Sequence, residues 1–250
     1  MSTITFSRPE VLNAIDLPTA RALAGIAAQI GEWSTRVIVL RGAGAAFVAG
    51  GDIGAFEPGQ AMLEGLGEIL GCFHSFVLAL ARAPQIVVAA VHGAAAGGGL
   101  SLVLGCDVSI VREDAPLDFA YRRLGASGDG GCSWWLSQQA GQARALDLLL
   151  LRRRFSPAQA QAAGLVTRAV PAEQFEAQVQ EVVRTLLENS RGASAEVKRL
   201  IRGDLAPLQA RLDSEREAFL RCAADPDFTE GVRAFRERRA PCFSSSGDRP

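Results

Sequence analysis

Residues 85–107 read QIVVAAVHGAAAGGGLSLVLGCD, a strand-like run, three consecutive glycines and a helix-like run in that order. The β-branched residues and alanines predict a strand over Gln85–Val91, and the apolar run after the glycines predicts a short buried helix over Gly98–Gly105. From Gln85 to Cys106 the chain is apolar enough to invite a membrane assignment, but His92, the glycine cluster and the closing Asp107 argue against a span. The glycines therefore mark a turn between two buried elements.

Working outward, strands and helices go on alternating. Ile4–Phe6 and Arg36–Arg41 (RVIVLR) read as strands, and Leu17–Ser34 and Leu63–Arg82 as helices. Such alternation implies an α/β protein with right-handed crossovers. Beyond about Thr167, Pro171–Asn189, Ser194–Arg202 and Pro207–Ala224 read as amphipathic helices with no strand between them, so the C-terminal part is expected to be helical. The polar tail SSSGDRP (244–250) is expected to be disordered.

The 250 residues, 48% hydrophobic and 21% charged, suffice for a large core. A net charge of -1 argues against general binding to nucleic acid or an anionic membrane, since both draw on excess positive charge. Lys198 is the only lysine, a bias toward arginine that fits a GC-rich coding sequence. Five dispersed cysteines without a CxxC pair suit a reduced, cytoplasmic protein. The opening MSTITFSRPE shows no export signal and leaves little room for a further strand before ITFSRPE.

Several chemistries fail on residue type. RGAGAAF (41–47) lacks the third glycine, the helix and the acidic partner of a dinucleotide site. The only lysine lies outside any P-loop, no GxSxG is complete, and His74 and His92 join no spaced metal-ligand set. What remains is a pair of glycine-rich turns after strands, FVAGGDI (47–53) and GAAAGGGLSL (93–102). Two backbone N–H groups freed at such turns could together hold one oxyanion. Close helix–strand packing needs glycine as well, and spacing leaves both readings open.

At these residues the sequence resembles the crotonase, or enoyl-CoA hydratase/isomerase, superfamily. The resemblance runs in order through SRPEVLNAID (7–16), GAGAAFVAGGDI (42–53), AAVHGAAAGGGLSLVLGCDVSI (89–110), FAYRRLGASGDGGCSWWL (119–136), FSPAQAQAAGLVTRAVP (155–171) and FTEGVRAFRERRAPCF (228–243). It implies a crotonase-type ββα spiral (the ClpP/crotonase fold) over 1–190, with the acyl-CoA site, and a helical trimerisation region over 191–243. It also implies a homotrimer or dimer of trimers acting on acyl-CoA thioesters in fatty-acid or aromatic-acid catabolism. No metal and no cofactor is implied, because coenzyme A belongs to the substrate.

The same resemblance implies an oxyanion hole from the N–H groups of Gly51 and Gly98. Coenzyme A would lie along Glu10, Val11, Leu12, Ala49, Asp52 and Ile53, with its phosphates reached by Arg8 and by Arg238 in the last helix; a solvated charge is the bland reading of Arg238. Where a hydratase of the family carries two glutamates, this chain has Ser101 and Tyr121, neither a ready acid or base near neutral pH. Asp129 falls where several isomerases of the family, the ring-epoxide isomerase of phenylacetyl-CoA breakdown among them, carry an acidic base. Its structural alternative is to cap the following helix. An enoyl-CoA isomerase is therefore favoured over hydratase-like activity. The next alternative is chemistry resembling 4-chlorobenzoyl-CoA dehalogenase or a thioester hydrolase, using Asp129 with His74 and the ring of Tyr121. The last is an acyl-CoA binder without catalysis. His92 is expected to be structural.

Overall fold

The computed structural model describes residues 1–53, 60–151 and 154–243; the tail expected to be disordered (244–250) lies outside them. Five parallel strands lie in the order β1 (Ser2–Phe6), β2 (Val37–Gly42), β4 (Ile86–Val91), β6 (Val108–Arg112) and β8 (Arg168–Val170). A second sheet holds β3 (Ala46–Val48), β5 (Ala94–Ala96) and β7 (Leu117–Asp118), also parallel. The chain lays one strand in each sheet and then turns into a helix. β2 and β3 precede α2 (Gln60–Arg82), β4 and β5 precede α3 (Gly98–Gly105), and β6 and β7 precede α4 (Tyr121–Leu124). This is the expected spiral of ββα repeats, and it puts the end of each second-sheet strand on one side of the molecule.

The strands read from periodicity are present within a residue or two, and the helix after the glycines has the expected bounds. The first helix, α1 (Leu17–Gln29), stops short of Ser34 and tightens into a 3-10 turn over Ile30–Glu32. It begins at Asp16, whose side chain accepts from the Thr19 N–H at 2.9 Å. The second-sheet strands are two or three residues long, too short for an alternation to show. β8 (Arg168–Val170), just past Thr167, precedes the helices read from Pro171 onward, between which no strand lies among the described residues.

By length and apolarity α2 resembles a membrane span from Ala61 to Arg82. Its Leu66, Leu70, Phe73, Phe76, Val77 and Leu80 are buried in the core cluster. α8 (Phe175–Glu188) covers the five-stranded sheet with Phe175, Val179, Val182 and Val183. α9 (Arg191–Arg202), α10 (Ala206–Ala223) and α11 (Pro226–Arg236) follow, and Leu208, Leu212, Phe219, Phe228 and Val232 join the same cluster as Phe73. The C-terminal helices thus share the core of the spiral. α5 (Cys132–Ala140) packs between α3 and α10 and leads through α6 (Gln142–Leu146) and α7 (Pro157–Ala162) to β8, and none of the five cysteines is paired.

Lys198 ties α9 to this body. Its ammonium is buried and donates to the carbonyls of Leu80 (2.8 Å) and Gln85 (2.9 Å), with Asp107 Oδ2 at 2.8 Å. Asp107 Oδ1 takes Arg202 at 2.7 Å, and the Arg202 guanidinium lies 4.7 Å from the Trp135 ring.

Candidate active site

The three glycines of the opening stretch serve three purposes. Gly97 has φ 50° and ψ -127°, which a side chain would strain. A Cβ on Gly99 would fall 2.0 Å from the Val48 carbonyl oxygen, so α3 lies against β3 only because that carbon is missing. Gly98, between them, opens α3 and faces the site. A Cβ there would lie 3.2 Å from the Phe73 ring and 3.3 Å from Asp129 Oδ1.

The other glycine turn lies alongside: a Cβ on Gly97 would be 3.7 Å from the Gly50 Cα. Gly51 bridges Ile15 through its neighbours, as Ile15 N–H donates to the Gly50 carbonyl (2.8 Å) and Asp52 N–H to the Ile15 carbonyl (3.0 Å). Neither the Gly51 nor the Gly98 N–H donates to a backbone acceptor among the described residues. The packing reading therefore holds at Gly99, while the N–H groups of Gly51 and Gly98 are left without a backbone acceptor among the described residues.

Asp129 sits in the loop 125–131, where Gly125, Gly128, Gly130 and Gly131 all have positive φ. Its carboxylate caps nothing. The start of α5 is instead capped from α10 by Glu215, whose Oε2 accepts from Gly131 N–H (2.7 Å) and whose Oε1 accepts from the N–H (2.9 Å) and hydroxyl (2.6 Å) of Ser133. That leaves Asp129 to the site, where the Tyr121 hydroxyl donates to its Oδ1 at 2.5 Å. Burial pushes the Asp129 carboxyl up to about 7, against the lowering effect of the Tyr121 hydrogen bond. Burial also drives the Tyr121 phenol well above its usual range, and the Asp129 charge adds to it. Tyr121 and Ser101 hydrogen-bond each other at 2.9 Å, and Ser101 also donates to the Gly97 carbonyl at 3.2 Å.

Replacing Glu215 by Ala strands three donors at once and should cost about 1.5–3 kcal/mol of stability, given that its bonds are charge-assisted. Chemical denaturation measures it. A loss under half a kcal/mol would mean that water replaces the cap.

His74 sits on α2, where its Nε2 accepts the Gly130 N–H at 3.1 Å. Burial lowers it to about 4, so it is neutral at physiological pH. Through that bond it positions the Asp129 loop. A cavity of about 630 Å³ between α1, α2 and α10 has His74 in its wall but does not include Gly51, Gly98 or Asp129. His92 Nε2 lies 2.8 Å from the Gly44 carbonyl oxygen, a structural contact as expected.

Of the residues expected along coenzyme A, Val11, Leu12, Ala49, Asp52 and Ile53 come together, because segment 8–15 lies along 49–53 and the Ala49 N–H donates to the Leu12 carbonyl (3.1 Å). Arg8 departs from its expected role. Its guanidinium is held by Asp52 (3.0 Å), Asp16 (3.2 Å) and the Ala14 carbonyl (2.7 Å), so two carboxylates already neutralise it. Arg238 is exposed and lies past the end of α11, not within it, with left-handed backbone at φ 53°. No hydrogen bond or ion pair joins it to the turns among the described residues. Sequence reasoning missed Asn13, whose buried amide donates to the carbonyls of Ala43 (2.8 Å), Ala46 (2.8 Å) and Phe47 (3.1 Å) and fixes the turn. Among the described residues no group of His, Cys, Asp or Glu is placed to hold a metal.

A ββα spiral with two facing glycine turns and a partly buried carboxylate beside them defines a crotonase-fold protein, and comparison with known proteins agrees. A family model described as Enoyl-CoA hydratase/isomerase matches residues 1–246, and the chain belongs to that family. It is 35% identical to a probable enoyl-CoA hydratase of Rhodobacter capsulatus, covering 98% of this chain and 94% of that one. It is 33% identical to the 1,2-epoxyphenylacetyl-CoA isomerase of Escherichia coli, over 97% and 94% of the two chains. The crystal structure of an enoyl-CoA hydratase from Mycobacterium avium subsp. paratuberculosis superposes with TM-score 0.89 at 34% identity, covering 97% of this chain and 94% of that one.

Proposed function

We propose that the protein is an acyl-CoA isomerase. Asp129 takes a proton from one carbon of the acyl chain and returns it to another, while the N–H groups of Gly51 and Gly98 hold the thioester oxygen as an enolate. The observation that carries this reading is Asp129 itself: a partly buried residue whose carboxyl is raised to about 7, caps no helix and lies against Gly98. A base with a pKa near the working pH is well matched to taking and returning a proton. Each oxyanion donor would contribute about 3–4 kcal/mol to the barrier reduction. Coenzyme A, as part of the substrate, would run along Val11, Leu12, Ala49, Asp52 and Ile53, with Arg238 as the proposed phosphate contact. A cytoplasmic homotrimer or dimer of trimers completes the proposal.

Family relatives carry both hydratase and isomerase names, so side chains must discriminate. Hydration needs groups that activate water and deliver its proton. At the two positions matched to those groups, Ser101 and Tyr121 are bonded to one another, and the phenol is pushed further from ionisation by burial. Aryl displacement or thioester hydrolysis through His74 would need that ring to release Gly130.

Incubation with 3-enoyl, 2-enoyl and aryl-acetyl CoA esters in deuterated water tests the reading. Exchange at the α or γ carbon is expected, rising with pH to a plateau above about 7 because the base works ionised and is lost as pH falls through its raised pKa. Addition of water to a 2-enoyl ester, with deuterium at the α carbon of the hydrated product and none at γ, would instead establish a hydratase.

A further inference from the structure

We infer that the Ser101 hydroxyl is a two-position switch that couples the charge on Asp129 to the strength of the Gly98 oxyanion donor. The inference rests on the reading of Asp129 as base and Gly98 N–H as donor.

Ser101 has one hydrogen and two acceptors in reach, the Tyr121 oxygen at 2.9 Å and the Gly97 carbonyl at 3.2 Å. Tyr121 in turn donates to Asp129 at 2.5 Å. When Asp129 is ionised, its charge draws the Tyr121 hydrogen toward it and makes the phenol oxygen the better acceptor, so Ser101 turns to Tyr121. The chain Ser101 to Tyr121 to Asp129 then stabilises the carboxylate cooperatively. When Asp129 has taken the substrate's proton, that pull weakens and Ser101 turns to the Gly97 carbonyl.

That carbonyl belongs to the peptide unit whose nitrogen is Gly98. It already accepts the Leu100 and Ser101 N–H groups (both 3.0 Å), and a further hydrogen bond accepted at the oxygen of an amide polarises it more and strengthens its N–H as a donor. The oxyanion donor is therefore strongest when Asp129 is neutral, which is when the enolate exists and the proton has left the carbon. No proton travels along the chain; one hydroxyl rotates, and the transferred proton stays on Asp129 until it returns. Ser101 and Tyr121 act as positioning residues. The remaining titratable groups around Asp129 are Cys132 on α5, whose thiol burial drives well above its usual range, Glu215 on α10 and His74 on α2, bonded to the adjacent Gly130.

Bound cinnamoyl-CoA provides the test, because its absorption band moves to the red as the thioester carbonyl is polarised. In the native enzyme the band is expected to move to the red as pH falls from 9 to 5, with Ser101→Ala and Tyr121→Phe holding it fixed. In the exchange assay both variants should also move the acidic limb to higher pH, with roughly a tenfold loss at pH 6 if the shift is about one unit. A Ser101→Ala band or limb that titrates like the native one overturns the switch. Loss of exchange in Asp129→Asn alongside that result would leave the base reading intact, whereas exchange surviving in Asp129→Asn would remove the reading beneath both.

Discussion

Asp129→Asn should lower turnover by about 10²–10⁴-fold, the usual contribution of a positioned acid or base, while leaving affinity for coenzyme A esters unchanged. It should also leave the fold at least as stable as the native protein at pH 8, and this second outcome is the more discriminating. Burial raises the Asp129 pKa in the folded state from an unfolded value near 3.8 to about 7. Between those values the folded chain binds more protons than the unfolded one, so stability falls as pH rises through this window and stays low above it. A neutral amide of the same size escapes that penalty. Steady-state exchange, coenzyme A binding by calorimetry and urea denaturation at pH 5 and pH 8 measure the three quantities. A variant that is both inactive and destabilised at pH 8 would make Asp129 a structural group, and one with no native turnover to lose would favour a silent acyl-CoA binder.

Lys198→Met should cost about 3 kcal/mol, the lower end for breaking a buried ion pair, because Arg202 still neutralises Asp107. For a chain of this size that is a fall of roughly 6–12 °C in Tm. The physical reason lies in geometry as much as charge. A compact ammonium has three donors pointing apart, and here they meet two carbonyls and a carboxylate in a buried space. Lys198→Arg keeps the charge but brings a planar fork, so it should also destabilise. If Lys198→Arg were neutral, charge alone would be the requirement.

Much of the fold was legible because its signals are local. The run QIVVAA, the glycines and LSLVLGC form a strand, turn and helix through their own backbone preferences, and resemblance over the whole chain supplied the order of the repeats. The carboxylate Asp129 could be found by position within GASGDGG. Its freedom to act could not, since it depends on Glu215 reaching across 84 residues to cap α5 in its place. The engagement of His74 and Arg8 is hidden from the sequence for the same reason. A histidine looks available until Gly130, 56 residues on, occupies it, and an arginine looks ready for phosphate until Asp16 and Asp52 surround it.

The sequence by itself determined the two glycine turns, through residue type and short-range conformation, and its resemblance to the family supplied the ββα order and the expectation that Ser101 and Tyr121 stand where hydratases carry their acids. Only the tertiary structure decided which side chains are engaged and which are left over. That is a matter of who buries whom, and burial brings together Ser101, Tyr121 and Asp129 from three elements and raises the one carboxyl among them to about 7.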